Sequence, residues 1–256
     1  KRCEYSIIIM IRKTPYLLAL VAVGFALIQG CTTKRDGRAY RIYHNTHAKF
    51  NGFFYASEAL AEAEKKIKAL YEPNWDEVLP LFLDTDSKSA QQVYPLMERA
   101  IEKSSKVVDK HTLTPSKRDR KYFKRPEMNK WIDDNYTVIG KAYYLKEDFA
   151  KSEEIFLYLA RTVDTPDAQA SAFSWLGRIY IRTNDPIKAK NMLAKAEQFR
   201  DVSREVAIHT KYVLAQYNIY QENFEDAVRH LEEAIELIKR KKDKARPLFI
   251  LAQCLR

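Results

Sequence analysis

Four segments of this chain, YTVIGKAYYL, FSWLGRIYI, KYVLAQYNI and LFILAQCLR, share one order of large and small residues. Their small residues Gly140, Gly177, Ala215 and Ala252 lie 37, 38 and 37 positions apart. A fixed interval of this length marks a chain built from supersecondary units that bury their apolar faces only against one another. Each of the first three segments leads, after a short polar break, into a second apolar pattern at helical spacing: DFAKSEEIFLYLA, DPIKAKNMLAKAEQF and NFEDAVRHLEEAIEL. The unit is therefore a helix hairpin, in which a small residue lets the two helices approach while large residues fill the space on either side. Asp185-Pro186 fits a helix start, with Asp as N-cap and Pro at the first helical position. Only six glycines and few β-branched runs point the same way, to an all-α chain.

The pattern resembles the tetratricopeptide repeat, whose first helix carries an aromatic or large residue, Leu-Gly and Tyr, and whose second carries Ala, a large residue and Ala. In the second copy these places hold Phe173, Leu176, Gly177, Tyr180, Ala189, Leu193 and Ala196. The first copy has Tyr136, Ile139, Gly140, Tyr143, Ser152, Phe156 and Leu159, and the third Lys211, Leu214, Ala215, Asn218, Ala227, Leu231 and Ala234. The period exceeds the family's usual length of about 34, and loops such as TVDTPDAQ take the surplus. Gly140, Tyr143, Gly177, Tyr180 and Ala215 are the expected packing positions of an α-solenoid of antiparallel hairpins over residues 131–256, breaking off within its last repeat.

The resemblance implies a concave groove lined by the first helices. Its outward positions are Lys141 and Tyr144 in the first copy, Arg178 and Arg182 in the second, and His209, Tyr212, Gln216 and Tyr220 in the third. Cations interleaved with tyrosines suit an extended or helical peptide of acidic character, since Arg pairs with carboxylates and Tyr supplies rigid contact area. Some members of the repeat family grip a C-terminal carboxylate with a paired Lys and Asn. Thr137 and Lys141 stand in those places here, so that mode is absent.

Ahead of the repeats, residues 31–111 read as a helical region. One long pattern runs from Arg38 to Leu70 and another from Ser89 to Lys110, interrupted by Pro73 and Pro80. Gly52 marks a degenerate hairpin. Residues 112–130 read as a basic linker framed by Pro115 and Pro126. Its Lys117, Arg118, Arg120, Lys121, Lys124 and Arg125 form a mobile charged loop suited to anionic head groups or an acidic partner. The run KRKKDKAR at 239–246 reads in the same way. His44 and His47 place two imidazoles on one helix face, but nothing nearby supplies a third ligand, so no metal is expected. With no Gly-rich phosphate loop, nucleophile elbow or carboxylate pair tied to a base, neither enzyme activity nor a cofactor or small-molecule substrate is expected.

Residues 1–30 have the anatomy of a signal peptide. Arg12 and Lys13 precede an apolar stretch from Pro15 to Ile28, shorter than the roughly 20 residues that cross a bilayer. Met10 is the natural start, which makes residues 1–9 a misassigned extension. Ile28-Gln29-Gly30-Cys31 resembles a bacterial lipobox, which makes Cys31 the lipid-attachment site, although Gln29 departs from the usual small residue. Removing Lys1, Arg2, Arg12, Lys13 and Glu4 takes +3 from the net +10, leaving +7 on the mature chain. That balance favours acidic partners or an anionic surface, and export argues against nucleic acid. Cys254 would be the one free thiol left, so no disulfide framework is expected.

The stretches RIYHNTHAKFNGFFYASEALAEAE, WDEVLPLFLDTD and KRPEMNKWIDDNYTVIGKAYYLKEDF are not dictated by repeat packing. They resemble the N-terminal part of the SprE/PorW lipoproteins of the Bacteroidota type IX secretion and gliding-motility apparatus. The resemblance implies a non-catalytic outer-membrane lipoprotein facing the periplasm. Its partners would be subunits of the periplasmic ring and the outer-membrane translocon, which it links. The alternative is a recruiting or activating arm of a cell-envelope peptidoglycan enzyme, with its catalytic domain beyond Arg256.

Overall fold

A computed structural model describes residues 37–115 and 127–256. The expected signal peptide, Cys31 and the basic-loop residues Lys117, Arg118, Arg120, Lys121, Lys124 and Arg125 lie outside them. The chain divides into two units, Lys1–Tyr43 and His44–Arg256. The described part of the first is the opening of helix α1 (Arg38–His47).

The second unit is all-α, with no strand among the described residues. From α1 the chain passes through a π-helical turn (Ala48–Phe53) into α2 (Phe54–Leu70). There follow α3 (Ser87–His111), α4 (Ile132–Leu145), α5 (Phe149–Thr162), α6 (Pro166–Arg182) and α7 (Pro186–Ala196). Helices α8 (Arg204–Tyr220), α9 (Phe224–Leu237) and α10 (Ala245–Cys254) complete it, with a 3-10 turn at Lys241–Lys244 before the last. Each helix packs chiefly on its neighbours in sequence, and α2 also meets α4, α4 meets α6 and α6 meets α8.

Three hairpins, α4–α5, α6–α7 and α8–α9, turn by one device. Glu147, Asn184 and Glu222 adopt φ of 61°, 57° and 56°, and the residue that follows caps the second helix. The side chains of Asp148, Asp185 and Asn223 accept from the backbone N–H of Lys151, Lys188 and Asp226. Across each hairpin the small residue meets a large one. A Cβ on Gly140 would stand 2.7 Å from Phe156 Cε2, and one on Gly177 would stand 2.6 Å from Leu193 Cδ2. Ala215 and Leu231 share one core cluster, both fully buried. Ser152 Oγ donates to the carbonyl of Gly140 at 2.9 Å, satisfying a polar atom where the helices touch. Tyr180 is buried and donates to Glu153 at 2.6 Å, whereas Tyr143 is half-buried beneath the ammonium groups of Lys146 and Lys151. In the third copy Lys211 replaces the aromatic residue, held by Glu197 at 3.0 Å and Glu233 at 2.6 Å.

Helices α2 and α3 form a further hairpin, packed on α4 in the same core cluster as the repeats. The helices before and after residues 112–130 therefore share one core. At the described ends of that segment, Met128 N–H donates to the Leu113 carbonyl at 3.0 Å, and Glu127 accepts from the N–H of Leu113 and of Asn129. The run at 239–246 forms the 3-10 turn and the start of α10. Gly52, in the π-helical turn, fits against α3 so closely that a Cβ would lie 1.7 Å from Val107 Cγ2. Val107 is buried and β-branched, with little freedom to yield. Gly52→Ala is expected to destabilise by about 1–3 kcal/mol through overpacking, outweighing a helix-propensity gain of about 1 kcal/mol, as read by urea denaturation.

Candidate functional site

Where the repeat hairpins need three residues to turn, α2 and α3 are joined by residues 71–86. This connection is a non-helical strap, with a turn at Trp75-Asp76, that runs over the first-helix face, reaching α10 and returning past α8 and α6 to α3. Leu79 and Leu81 bury themselves in a cluster with Ala215, Ile219 and Ile250. The array holds the strap largely through its backbone. Gln253 takes the Leu79 N–H on Oε1 at 3.0 Å and donates from Nε2 to the Glu77 carbonyl at 3.1 Å. Gln216 accepts the Leu81 N–H at 2.6 Å, and Arg246 donates to the Pro80 carbonyl at 2.6 Å. These contacts satisfy strap groups that an extended segment would otherwise leave unpaired.

The strap's last turn is anchored by charge. Asp84 pairs with Arg178, accepts from the Tyr144 hydroxyl at 3.0 Å and lies 3.6 Å from Arg182. Arg178 Nε also donates to the Tyr144 oxygen at 3.1 Å. Arg182 donates to the Thr85 carbonyl and to Glu147, both at 2.8 Å. The Arg178 guanidinium stands 4.0 Å from the Phe82 ring centroid and 4.6 Å from that of Trp175. Burial raises the Tyr144 pKa, which keeps the hydroxyl protonated as a donor.

Lys141, Arg178, Gln216 and Gln253 each follow the small residue of their helix. They form one row at one-repeat intervals, and the strap engages all but Lys141. This corrects the sequence-based picture of an open groove. Tyr144 is fully buried and Arg178 nearly so, while Arg182 is committed to the strap and to Glu147. Tyr212 and His209 are half-buried beside Phe82, with ring centroids 6.3 Å and 5.6 Å away. Tyr220 remains exposed. Lys141 is half-buried with its Nζ 5.3 Å from the Trp175 centroid, and among the described residues no carboxylate lies within ion-pair distance. Burial lowers its pKa.

Two groupings escaped the sequence pattern because their members lie far apart in the chain. His111, from the end of α3, joins His44 and His47: its Nδ1 is 2.8 Å from His44 Nδ1, and its ring stacks on His47. One hydrogen serves that Nδ1 pair, and no group of three or more His, Cys, Asp or Glu among the described residues is placed to hold a metal. A cavity of about 260 Å³ gathers Glu127, Asp133, Asp134, Asp164 and Asp167 with Lys130. Burial raises the carboxyl pKa of Glu127 and Asp134.

His209 stacks on Trp175 at 5.0 Å, and its Nε2 is buried with no hydrogen-bond partner among the described residues. Burial, then the charges of Arg178 and Lys141, lower its pKa well below 6.5. Burial also lowers those of His44, His111 and His230. The unfolded chain thus binds protons more readily than the folded one: the stabilisation is complete above pH 6.5 and is lost as pH falls through the folded pKa values. Urea midpoints are expected to fall between about pH 6.5 and about pH 5, and less steeply in His209→Phe. No family model matches the chain, and no curated protein does.

Proposed function

We propose that this chain is a non-catalytic tetratricopeptide-repeat scaffold, anchored by lipid at Cys31 to the periplasmic side of the outer membrane. There it binds protein subunits of the type IX secretion and gliding apparatus and links the periplasmic ring to the translocon. The observation that carries the binding role is the row Arg178, Gln216 and Gln253. These side chains project from successive first helices and read the backbone and carboxylate of an extended segment. Repeat arrays that offer such a row at regular intervals serve as docking surfaces. The resemblance of RIYHNTHAKFNGFFYASEALAEAE, WDEVLPLFLDTD and KRPEMNKWIDDNYTVIGKAYYLKEDF to SprE/PorW lipoproteins supports the assignment to that machine.

The test is made in the organism that encodes the chain. Deleting the gene is expected to abolish secretion of type IX cargo, and a tagged chain crosslinked in intact envelopes should recover translocon and ring subunits. Mass spectrometry of the mature N-terminal peptide should find acyl chains on Cys31. Normal secretion in the deletion strain would overturn the reading.

A further inference from the structure

We propose that the strap is a resident pseudo-ligand, and that the first-helix row binds a partner protein through an extended segment of the same chemistry, which exchanges with it. That segment is apolar–Pro–apolar–aromatic, with a carboxylate two residues after the aromatic one, as in Leu79-Pro80-Leu81-Phe82-Leu83-Asp84. The inference rests on the protein-binding role proposed above and names the surface and its ligand.

Four observations carry it. The strap is far longer than the three-residue turns of the other hairpins, so joining α2 to α3 does not account for its length. The array reads the strap as a peptide, by amide and guanidinium contacts to its backbone and by Arg178 and Arg182 around one carboxylate. The fit is incomplete: among the described residues Thr85 Oγ1 and Arg246 Nε are buried without hydrogen-bond partners. A cavity of about 830 Å³ also lies along the strap between Leu70, Phe82, Arg182 and Tyr220. Finally, the strap turns into α3 before it reaches Lys141, one helical turn from Tyr144, and gives that member of the row no strap carboxylate, so that only Glu64 and Asp134 act on its charge, from beyond ion-pair distance. A free segment that continues past its Asp84 equivalent has no such turn, and a second acidic residue on it complements Lys141.

A tethered strap competes at an effective concentration on the order of millimolar, so an incoming segment gains access chiefly through contacts the strap lacks. Exchange begins at the exposed tip, Asn74-Trp75-Asp76.

The probe is a fluorescent peptide of the strap sequence, Glu-Val-Leu-Pro-Leu-Phe-Leu-Asp-Thr, with a second version extended by two glutamates. It is titrated against the full chain and against a variant whose residues 77–85 are replaced by a Gly/Ser linker, with folding checked by circular dichroism. The peptide is expected to bind the linker variant at least about 30-fold more tightly than the intact chain. Asp84→Ala in the peptide should weaken binding about tenfold or more, and Lys141→Gln in the protein should weaken the extended peptide alone. Equal binding to both proteins would overturn the proposal. So would a stoichiometric dimer of the linker-free chain cut at Asn74–Asp76, because the occupant would then be a second copy. If the linker variant fails to fold, hydrogen exchange of the intact chain decides. Leu79 and Leu81 amides exchanging well before the helix cores support exchange of the strap, and exchange only with global unfolding overturns it. These readouts use the isolated chain, so they stand or fall separately from the secretion phenotype.

Discussion

Asp84→Ala is expected to lower the unfolding free energy by about 3 kcal/mol, at the lower end of the roughly 3–5 kcal/mol found when a buried pair loses one partner. The Arg178 side chain is only 10% exposed, and Asp84, at 21%, is the carboxylate paired with it. Removing that carboxylate leaves a guanidinium among Phe82, Tyr144 and Trp175 with no countercharge and strands the Tyr144 hydroxyl. Because the penalty comes from the stranded charge, Arg178→Met in the same chain should return part of the loss. Urea denaturation of the two single variants and the double variant gives the coupling directly. A loss below about 0.5 kcal/mol for Asp84→Ala would show that the anchor contributes no more than an exposed surface pair.

Phe156→Ala is expected to cost about 3–5 kcal/mol, the usual range for a phenylalanine removed from a closed core. The side chain is fully buried, stacks on Trp175 at 5.5 Å and lies against the Cα of Gly140. The other two repeats carry leucine there, Leu193 and Leu231, opposite Gly177 and Ala215. Phe156→Leu should accordingly cost only about 1–1.5 kcal/mol. The pairing also predicts a sign of coupling. Gly140→Ala should be costly while Phe156 is in place and less costly in the Phe156→Leu background, as the Ala215–Leu231 pair suggests, although the 2.6 Å approach that a Cβ on Gly177 would make to Leu193 means that part of the cost remains. Thermal melts of the four combinations check it, and equal penalties in both backgrounds would mean that the two helices adjust their spacing independently of these side chains.

The hairpins were legible because the residues that meet across them lie on either side of one short turn, 16 positions apart, and obey the 3.6-residue period. Gly140, Gly177 and Ala215 mark the close approaches, and the capping residues Asp148, Asp185 and Asn223 follow the breaks. The pattern that put Arg178 and Arg182 on a peptide-binding face was informative about ligand chemistry but silent about its source. VLPLFLD has no helical period and contains a proline, and its partners lie 60 to 174 residues away. No local signal joins them. For the same reason the third histidine of the His44–His47 pair was invisible, because His111 comes from the far end of another helix. Tyr144 was placed on the open face by analogy, and the strap that covers it could not enter that analogy.

The strap also changes how such a chain must fold and come apart. Stacked hairpins joined only to their neighbours can fray from an end and re-form one unit at a time. Here Gln253 cannot clasp Leu79 until α10 has emerged, so closing this circuit of 174 residues is an entropically demanding step. Once closed, it ties the earliest hairpin to the last described helix, and an array that would otherwise melt piecemeal is expected to unfold in a single cooperative transition.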